Sequence, residues 1–592
     1  MIDSHITPVE NEVFQESVFS GFLQLFQHVV LGLYSPEKVF YHGVQGGDVR
    51  DMDSEKIQAL KKEIYARNFT KFGFDLNPVV SVATVLFILL FSLFALFNLD
   101  LANRLFASVQ SYIVSNFDWV FILSSNFFII VCLYLALTRL GNVRIGGVDS
   151  KPEFTNFSWY SMLISAGMGI GLMFWAVGEP LHHVEQTLPI FTEAEPAIAA
   201  MATTFFHWGL HPWGIYALIS LALAFFAYNK NLPLSLRSVF YPLLKERVHG
   251  IAGDVIDTFA VLSTMFGLAT SLGLGVMQIN SGLDYLMGIG TDVIIQVLLI
   301  AGITAIAIVS VVLGVNKGIR VLSRLNIKLA FVFMVAVLLL GPTFYILRVF
   351  SNSLGVYISN LLQIAFFIDM DSGAWQGNWT IFYLAWWISW SPFVGMFIAR
   401  MSRGRTVREF VFGVLIIPSL LSFVWLSVFG GAAMYVDIAT EGGLFAVVSD
   451  NLPVALFELL SLLQYPLLTR ILPGILSVLA TLLVVSYFVT SSDSGSLVVD
   501  KITSGGKLKS PVRQRVLWAC LEGLLATTLL LIGGEMALDA LQAAVISSGL
   551  PLAVMLSVMT VSLIKGIQES KRKQRQIRDT KRLKDIFKTF NY

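Results

Sequence analysis

The chain has 592 residues, of which 56% are hydrophobic and only 13% are charged. Soluble domains carry about a quarter of charged residues, so this composition excludes an ordinary soluble enzyme and predicts an all-α integral membrane protein. The formal net charge is only +1, and we expect no nucleic-acid partner.

Apolar segments of about 20 residues, the length that crosses a bilayer core, recur along most of the chain. The segment 350–368 is apolar but short and contains Ser and Asn, so it is predicted to lie as a helix in the membrane interface. Twelve membrane spans are predicted, near residues 78–98, 118–139, 156–180, 200–229, 254–287, 291–313, 325–349, 373–399, 409–436, 470–500, 513–533 and 537–564.

Charges between the spans indicate which side of the membrane each loop occupies. Basic residues collect in alternate loops, for example at 400–408 and 501–515, whereas the loops at 185–195 and 437–450 are acidic or neutral. By the positive-inside rule both chain termini lie in the cytoplasm. An even number of spans also requires the two termini to share one side.

The two ends of the chain differ in charge. Residues 1–70 hold ten Asp and Glu against six Lys and Arg, a net of −4, and residues 565–592 hold three against ten, a net of +7. The basic tail is either a topology signal or a segment that binds anionic lipid or an acidic partner segment. The sequence leaves both interpretations open.

The span 156–180 has glycine at every second position, at Gly167, Gly169 and Gly171. Each glycine in a helix costs about 1 kcal/mol relative to alanine. Helix packing through small residues places them four apart on one face, whereas a spacing of two spreads them around the helix. The pattern favours an unwound segment whose free amides and carbonyls face a ligand or an ion.

Five of the 12 tryptophans lie in two short stretches, 205–216 and 385–393, inside apolar spans. Indole faces are the best protein partners for a cation that donates no hydrogen bond, such as a quaternary ammonium. Pro212 and Pro392 are predicted to break the helices that carry the clusters. The alternative is aromatic core packing. The aromatic residues concerned are Trp208, Trp213, Tyr216, Trp386, Trp387 and Trp390.

The span 470–500 carries a run of hydroxyl residues from Thr490 to Ser496. Such a run is rare in hydrocarbon unless it faces protein or water, and hydroxyl and carbonyl oxygens suit a hard cation. The alternative is hydrogen bonding between helices and a cap at the cytoplasmic end. The sequence has no cluster with transition-metal spacing and no arrangement of nucleophile and base, so we expect no enzyme.

These segments resemble the betaine/choline/carnitine transporter family, from about residue 75 to 565. The resemblance implies twelve helices, with two inverted five-helix repeats in the third to seventh and eighth to twelfth spans, an interfacial helix between spans 7 and 8, and a homotrimer. The segments that carry it are Gly167-Met168-Gly169-Ile170-Gly171 with Glu179-Pro180, His207 to Tyr216, and Trp386 to Arg405.

The family pattern also implies how the chain is divided. Two membrane helices stand outside the repeats, and the chain ends extend into the cytoplasm. The implied segments are an N-terminal extension over 1–75, two peripheral helices over 76–155, the first inverted repeat over 156–349, the interfacial helix over 350–372, the second inverted repeat over 373–566 and the basic tail over 567–592.

The substrate residues of the family are carried over onto matching positions. The positions that match an aromatic box around a trimethylammonium group are Trp208, Trp213, Tyr216 and Trp387. Neighbouring positions on the pathway are matched by Trp386 and Trp390. The flexible stretch lining the site is matched by Gly167, Met168, Gly169 and Gly171.

The coupling ion implied by the resemblance is sodium. A second sodium site of some members is matched by Thr264 and Phe393, but Leu268 replaces a second threonine there, so that site is incomplete. The first sodium site, made of three backbone oxygens and two hydroxyls, is matched by Ser165, Met168, Tyr487, Thr490 and Ser491.

The position of Gly171 bears on the charge of the substrate. Choline-type members tend to carry Asp there as a counter-ion for a net cation, whereas Gly suits a zwitterion with its own carboxylate. The resemblance implies a sodium-coupled importer of glycine betaine or a similar zwitterion in a bacterial inner membrane. The alternatives are a sodium-independent antiporter, a proton-coupled choline or carnitine transporter, and a signalling protein whose tails respond to osmotic state.

Overall fold

The regular secondary structure of the described residues is helical. The computed structural model describes residues 62, 65–167, 169–191, 193–312, 316–370, 374–463, 471–507 and 510–590. Ten helices in these ranges are long and apolar enough to cross a membrane, and the number is twelve if each of two bent helix pairs counts as one span. The prediction of an all-α, multi-pass membrane protein is confirmed, while the twelve-helix count and the inverted repeats stay predictions.

The first helices carry the glycine motif and the first tryptophan cluster. Asn77 caps the first helix, because its side-chain oxygen accepts the backbone N–H groups of Val79 and Val80 at 3.0 and 3.2 Å. The helices are α1 (Pro78–Phe97), α2 (Leu99–Leu137), α3 (Asn156–Gly167), α4 (Ile170–Glu185), α5 (Pro196–Trp208) and α6 (Leu210–Tyr228).

The later helices carry the second tryptophan cluster and the hydroxyl run. One begins with a capping box, in which Thr406 Oγ1 accepts the N–H of Glu409 at 3.2 Å and Glu409 Oε2 accepts that of Thr406 at 2.9 Å. The helices are α7 (Ile251–Met287), α8 (Val293–Val312), α9 (Asn316–Leu340), α10 (Thr343–Ser359), α11 (Phe382–Met401), α12 (Val407–Ala439), α13 (Leu472–Thr503), α14 (Val512–Gly533) and α15 (Ala537–Phe590).

Burial separates inner helices from outer ones. In the most apolar stretch of α7, 89% of the residues are buried by the rest of the chain, against 33% in α1 and 22% in α8. The exposed residues of the two outer helices are themselves apolar, for example Leu90 and Leu298. These helices therefore present hydrocarbon to lipid, as a membrane protein requires.

Inner helices pack along one another and are joined by hydroxyl groups. α7 packs along α13, and α11 packs along both α6 and α15. Thr270 of α7 donates to the carbonyl of Leu541 in α15 at 3.1 Å, and Ser389 of α11 donates to that of Val545 at 3.3 Å. In a bilayer such hydrogen bonds between helices replace the hydrophobic driving force available in water.

The two predicted proline breaks differ from the helices observed. Pro392 lies inside the continuous helix α11, since one missing N–H does not end a membrane helix when neighbouring groups satisfy the freed carbonyl. In the other span the interruption falls at Gly209, between α5 and α6. Pro212 sits in the first turn of α6, where its missing N–H would have no intrahelical partner.

The predicted boundary between the seventh span and the interfacial helix is also wrong. α9 ends at Leu340 rather than at 349, and the chain turns by 107° into α10, which begins at Thr343 rather than at 350. Gly341 and Pro342 occupy the turn, and proline cannot continue the helix before it. α10 ends at Ser359, and a short helix, Leu361–Ala365, follows it.

Two other predicted boundaries shift. α2 begins at Leu99 rather than near 118, because its first turns contain polar residues such as Asp100 and Arg104 that a hydropathy pattern skips. The predicted tail over 567–592 continues the last span, since α15 runs without interruption to Phe590. Most of the predicted extension over 1–75, including residues 1–61, lies outside the described residues.

A buried network of charges joins the segment before α1 to the loop before α7. Asp254, in the first turn of α7, accepts hydrogen bonds from Arg67 at 2.8 Å and from Asn77 at 2.9 Å, and lies 2.9 Å from Arg237 Nη2. Arg237 also donates to Asp257 through its Nε and its backbone N–H. The side chain of Arg237 is 2% exposed and supplies a counter-charge to both carboxylates, while Arg67 supplies a second one to Asp254.

Replacing Arg237 with alanine should destabilise the fold. Removing one partner of a buried ion pair costs about 3–5 kcal/mol, because the other charge stays buried and unpaired. We expect purified Arg237→Ala protein in detergent to melt well below the native protein, as followed by size-exclusion chromatography after heating. Arg247→Ala, at an exposed position of the same loop, should melt like the native protein. Equal melting of all three proteins would contradict this account.

Candidate functional site

The third predicted span is interrupted in its middle. α3 ends at Gly167, α4 begins at Ile170, and the two helices are bent by 61°. Gly169 between them is extended, with φ −165° and ψ −171°. Met168, predicted for both the substrate and the sodium site, lies outside the described residues. The first amides of α4 have no intrahelical partner, and Gly169, Ile170 and Gly171 line a cavity.

The cavity has a volume of about 200 Å³ and is lined by residues of α3, α4, α5, α6, α7, α9, α11, α12 and α13. It brings together residues predicted for the substrate and residues predicted for the first sodium site. The predicted residues that line it are Ser165, Gly167, Gly169, Gly171, Trp208, Trp213, Tyr216, Trp386, Trp387, Trp390, Phe393, Tyr487, Thr490 and Ser491.

Two glycines of the interrupted span let tryptophan rings approach the backbone. A Cβ atom on Gly171 would lie 2.8 Å from Cη2 of Trp386 and 2.9 Å from Cη2 of Trp208. A Cβ atom on Gly167 would lie 2.7 Å from Cζ2 of Trp213. Because contacts this short would displace a ring, glycine at both positions keeps the rings where they are.

The aromatic rings of the two clusters form walls at steep angles to each other. Trp387 stands edge-on to Trp208, with 4.9 Å between ring centroids at 70°, and to Tyr216, with 6.3 Å at 77°. Trp213 meets Tyr216 at 5.4 Å and 78°, while Trp386 stacks on Trp387 at 4.8 Å and 14°. These five aromatic residues line the same cavity in edge-on and stacked pairs.

The indole N–H groups of Trp208, Trp386 and Trp387 are hydrogen-bonded to other protein groups. A bound N–H fixes the edge of each ring and leaves its apolar face available to the cavity. The hydrogen bonds run from Trp208 Nε1 to Glu179 Oε2 at 2.7 Å, from Trp387 Nε1 to the His207 carbonyl at 2.9 Å, and from Trp386 Nε1 to Ser271 Oγ at 3.2 Å.

Oxygen-bearing residues of α3 and α13 share the same cavity. Thr490 Oγ1 donates to the carbonyls of Ser486 at 2.9 Å and Tyr487 at 3.1 Å, so its lone pairs stay available to a ligand. Ser165 and Ser491 add two more uncharged oxygens to the lining. Hydroxyl and carbonyl oxygens are the ligands of hard cations, so the described residues fit a sodium ion.

The two residues predicted for a second sodium site are not brought together at the cavity. Phe393 lines it and packs against Trp390, with 5.1 Å between ring centroids. Thr264 is fully buried, does not line the cavity, and donates its hydroxyl to a carbonyl of its own helix at 2.6 Å. Leu268 packs against α13, where a Cβ on Gly495 would lie 2.6 Å from its Cδ2.

The cavity also has polar residues that the sequence analysis did not single out. Ser486 donates to Asn326 of α9 at 2.7 Å, which ties that helix to the hydroxyl run. Among the described residues that line the cavity, none carries a formal charge. Ser494 of the predicted hydroxyl run also lines the cavity, and the polar lining residues that sequence reasoning missed are Ser271, Asn326 and Ser422.

Sequence reasoning also missed the contacts of Glu179. Its carboxylate is fully buried and accepts hydrogen bonds from Trp208 and Tyr383. A signal was present, because a carboxylate inside an apolar span is rare in membranes and marks a functional or structural polar site. The sequence motif Glu179-Pro180 does not indicate which residues Glu179 contacts.

Comparisons with known proteins identify the family of this chain. Residues 79–572 match the model of one protein family, which is described as BCCT, betaine/carnitine/choline family transporter. The chain is 44% identical over 526 residues to glycine betaine transporter 1 of Vibrio parahaemolyticus, covering 88% of this chain and 99% of that protein. It is 43% identical over 522 residues to a glycine betaine/proline/choline/ectoine transporter of the same organism, covering 86% and 91%.

A third relative comes from another genus. The chain is 43% identical over 513 residues to the glycine betaine transporter of Acinetobacter baylyi, covering 86% of this chain and 76% of that protein. Identity of this extent, together with a family match over most of the chain, establishes the family. The chain belongs to the betaine/carnitine/choline family of transporters and is not an enzyme.

Proposed function

We propose that the protein imports a quaternary-ammonium zwitterion such as glycine betaine by sodium symport. One observation carries the proposal: the aromatic cage and the oxygens of Thr490 and Ser491 line a single cavity. The uncharged character of its described lining favours a ligand without net charge. The names of three relatives, which are glycine betaine transporters or include glycine betaine among their substrates, support the same class.

The trimethylammonium end of the substrate would sit among the faces of the cage. A quaternary ammonium donates no hydrogen bond, so its binding depends on cation–π attraction, worth about 2 kcal/mol for a desolvated face. Trp208 and Trp387 meet at 70°, which lets one cation contact two faces. Their N–H groups are already bonded to the protein, so the rings need not reorient when substrate binds.

The carboxylate end of the substrate would lie toward the start of α4. Free amides at a helix N-terminus carry partial positive charge and bind anions. In transporters with interrupted helices, such half-helix ends point at anionic substrate groups. Gly169 lines the cavity, and a Cβ atom there would meet no other atom within 4 Å, so the backbone at this end is open to the ligand.

Sodium would couple to substrate because the residues for both share the interrupted span. Ser165 stands at the end of α3, one turn before the glycines, and Thr490 and Ser491 stand on α13. An ion held between the two helices would favour the conformation that also completes the cage. Rocking of one repeat against the other around this site would then carry both solutes across the membrane by alternating access.

We also propose how the protein sits in the membrane. Both termini would lie in the cytoplasm of a bacterium, with the protein in the inner membrane as a homotrimer. The charge of +7 over residues 565–592 supports contact of the helical tail with anionic lipid, since each basic residue near such a surface contributes about 1 kcal/mol of attraction.

Uptake should depend on sodium, and Thr490 and Ser491 should hold it. In proteoliposomes, an inward sodium gradient should drive uptake of labelled glycine betaine, whereas a potassium gradient should not. Losing an oxygen that binds a charged group costs about 1.5–3 kcal/mol, so Thr490→Ala with Ser491→Ala should raise the half-saturating sodium concentration at least about tenfold. Because Leu268 stands at the second site, the sodium Hill coefficient should be about one.

A matched control for the sodium variant is available on the same helix. Thr481 and Ser496 also bond their hydroxyls to carbonyls of α13 and do not line the cavity. The double variant Thr481→Ala with Ser496→Ala should keep the native sodium dependence. Native uptake that persists unchanged without sodium would indicate a sodium-independent exchanger, and uptake driven by a proton gradient alone would indicate proton coupling.

Loss of one aromatic face should weaken substrate binding while the protein still reaches the membrane. Trp387→Leu removes about 2 kcal/mol of cation–π attraction, which is roughly 30-fold in apparent affinity for glycine betaine. The apparent affinity is measured from the dependence of uptake on glycine betaine concentration, at equal levels of the native and variant proteins. Trp119→Leu, on α2 and away from the cavity, should keep the native affinity. Near-native affinity in Trp387→Leu would rule out the cage.

The charge preference should change at Gly171. A carboxylate introduced there would repel the betaine carboxylate and attract the net charge of choline, a difference of about 1–4 kcal/mol at 4 Å. In competition assays, Gly171→Asp should therefore raise the ratio of choline to betaine affinity at least about tenfold. Gly171→Ala isolates the contact with Trp208 and Trp386, and should weaken both ligands while keeping their ratio. An unchanged ratio in Gly171→Asp would contradict the assignment.

A further inference from the structure

A buried carboxylate lies directly behind the cage. Glu179 of α4 is fully buried. Its Oε2 accepts hydrogen bonds from Trp208 Nε1 at 2.7 Å and from the Tyr383 hydroxyl at 2.6 Å. Its Oε1 lies 2.8 Å from His207 Nδ1 and 3.4 Å from His183 Nε2. The carboxylate is thus a shared acceptor for one cage wall and its supports.

Glu179, His183 and His207 are of the residue types that bind metals, and their ligand atoms lie within 4.8 Å of one another. Both oxygens of Glu179 nevertheless already accept hydrogen bonds from protein groups. The second nitrogen of His207 is also engaged, at 2.9 Å from Thr380 Oγ1. The geometry therefore favours a hydrogen-bonded network over a metal centre.

The network reaches both sides of the cage. Trp208 ends α5 and contacts Glu179 directly. Trp387 of α11 donates its N–H to the carbonyl of His207 at 2.9 Å, and His207 is itself bonded to Glu179. Two cage walls from different parts of the chain therefore depend on one carboxylate.

The carboxylate also acts on the electrons of the Trp208 ring. A hydrogen bond to an ionised acceptor is charge-assisted and stronger than a neutral one. Inside a protein, hydrogen-bonded groups polarise one another because the effective dielectric constant is low. An indole whose N–H points at a carboxylate therefore has a more negative face, and it is this ring that lines the cavity. Cation–π attraction is electrostatic, so it strengthens with the charge of that face.

We propose that Glu179 is a specificity-determining residue that acts through Trp208 and favours ligands with a fixed positive charge over ligands of the same shape that lack that positive charge. The inference rests on the proposed function, since it concerns the cage of that site. Glu179 does not line the cavity, so its effect on the ligand passes through the indole. A role confined to holding the fold would instead weaken both kinds of ligand equally.

The test compares two ligands that differ in one atom. Glycine betaine carries a trimethylammonium group, and 3,3-dimethylbutanoate has carbon in place of the nitrogen and no positive charge. Inhibition of labelled betaine uptake in proteoliposomes gives the affinity ratio of the two. For Glu179→Gln we expect the preference for betaine to fall roughly fivefold, since only part of the cation–π attraction is lost. The affinity for 3,3-dimethylbutanoate should stay within about twofold of the native value.

Glu185→Gln is the matched control, because it makes the same change at an exposed position of the same helix. It should keep the native affinity ratio. An equal loss of affinity for both ligands in Glu179→Gln, or an unchanged ratio, would overturn the inference. A native protein that does not prefer betaine to its carbon analogue would overturn the proposed substrate class instead, so the two failures are distinguishable.

A second variant decides the question if Glu179→Gln does not fold. Tyr383→Phe keeps the ring that stacks near Trp387 and removes the other donor to Oε2 of Glu179. With one donor fewer at Oε2, the hydrogen bond from Trp208 to the carboxylate becomes stronger. The preference for betaine should therefore equal or exceed the native value. A fall in that preference, with both affinities reduced, would show that the network only holds the fold and would overturn the inference.

Discussion

A polar backbone group cannot be left without a partner inside a bilayer, and this constraint governs the interrupted third span. α3 ends at Gly167 and α4 begins at Ile170, so backbone groups at these helix ends lack intrahelical partners. Such groups are tolerated at membrane depth only where they line a cavity or are buried in protein. The cavity next to this break therefore gives the backbone groups at the break a space in which a ligand or water can bind them. Aromatic rings, hydroxyls and free amides meet there because the chain is open at that point.

The described residues that line the cavity carry no formal charge, and buried charged residues lie elsewhere in the bundle. The described lining is uncharged, while Glu179, outside the lining, accepts a hydrogen bond from the indole N–H of Trp208. At one end of the bundle, Arg237 balances Asp254 and Asp257 and ties separate segments together. In both places a buried charge is stabilised by several hydrogen bonds, as its removal from water requires. A neutral cavity with polarised walls suits a ligand that carries one charge of each sign.

Sequence periodicity located most helices and misplaced some of their ends. α1 and α8 agree closely with the predicted spans because they contain no charged residue. Hydropathy failed where polar residues continue a helix, as in the first turns of α2, and where a proline lies within one, as Pro392 does in α11. It also failed at the sharp turn after Leu340, because an apolar segment has the same hydropathy whether its helix is straight or bent.

The sequence by itself determined that the chain spans a membrane, that the glycine run interrupts a span, and which aromatic and hydroxyl residues are candidates for a site. These properties depend on local chemistry, namely transfer to hydrocarbon, the low helix propensity of glycine and the cation affinity of indole faces. Only the tertiary structure decided that the candidates share one cavity, that Thr264 is not at its wall, and that Glu179 binds Trp208. Residues 28 or more positions apart meet through helix packing, which no local pattern encodes.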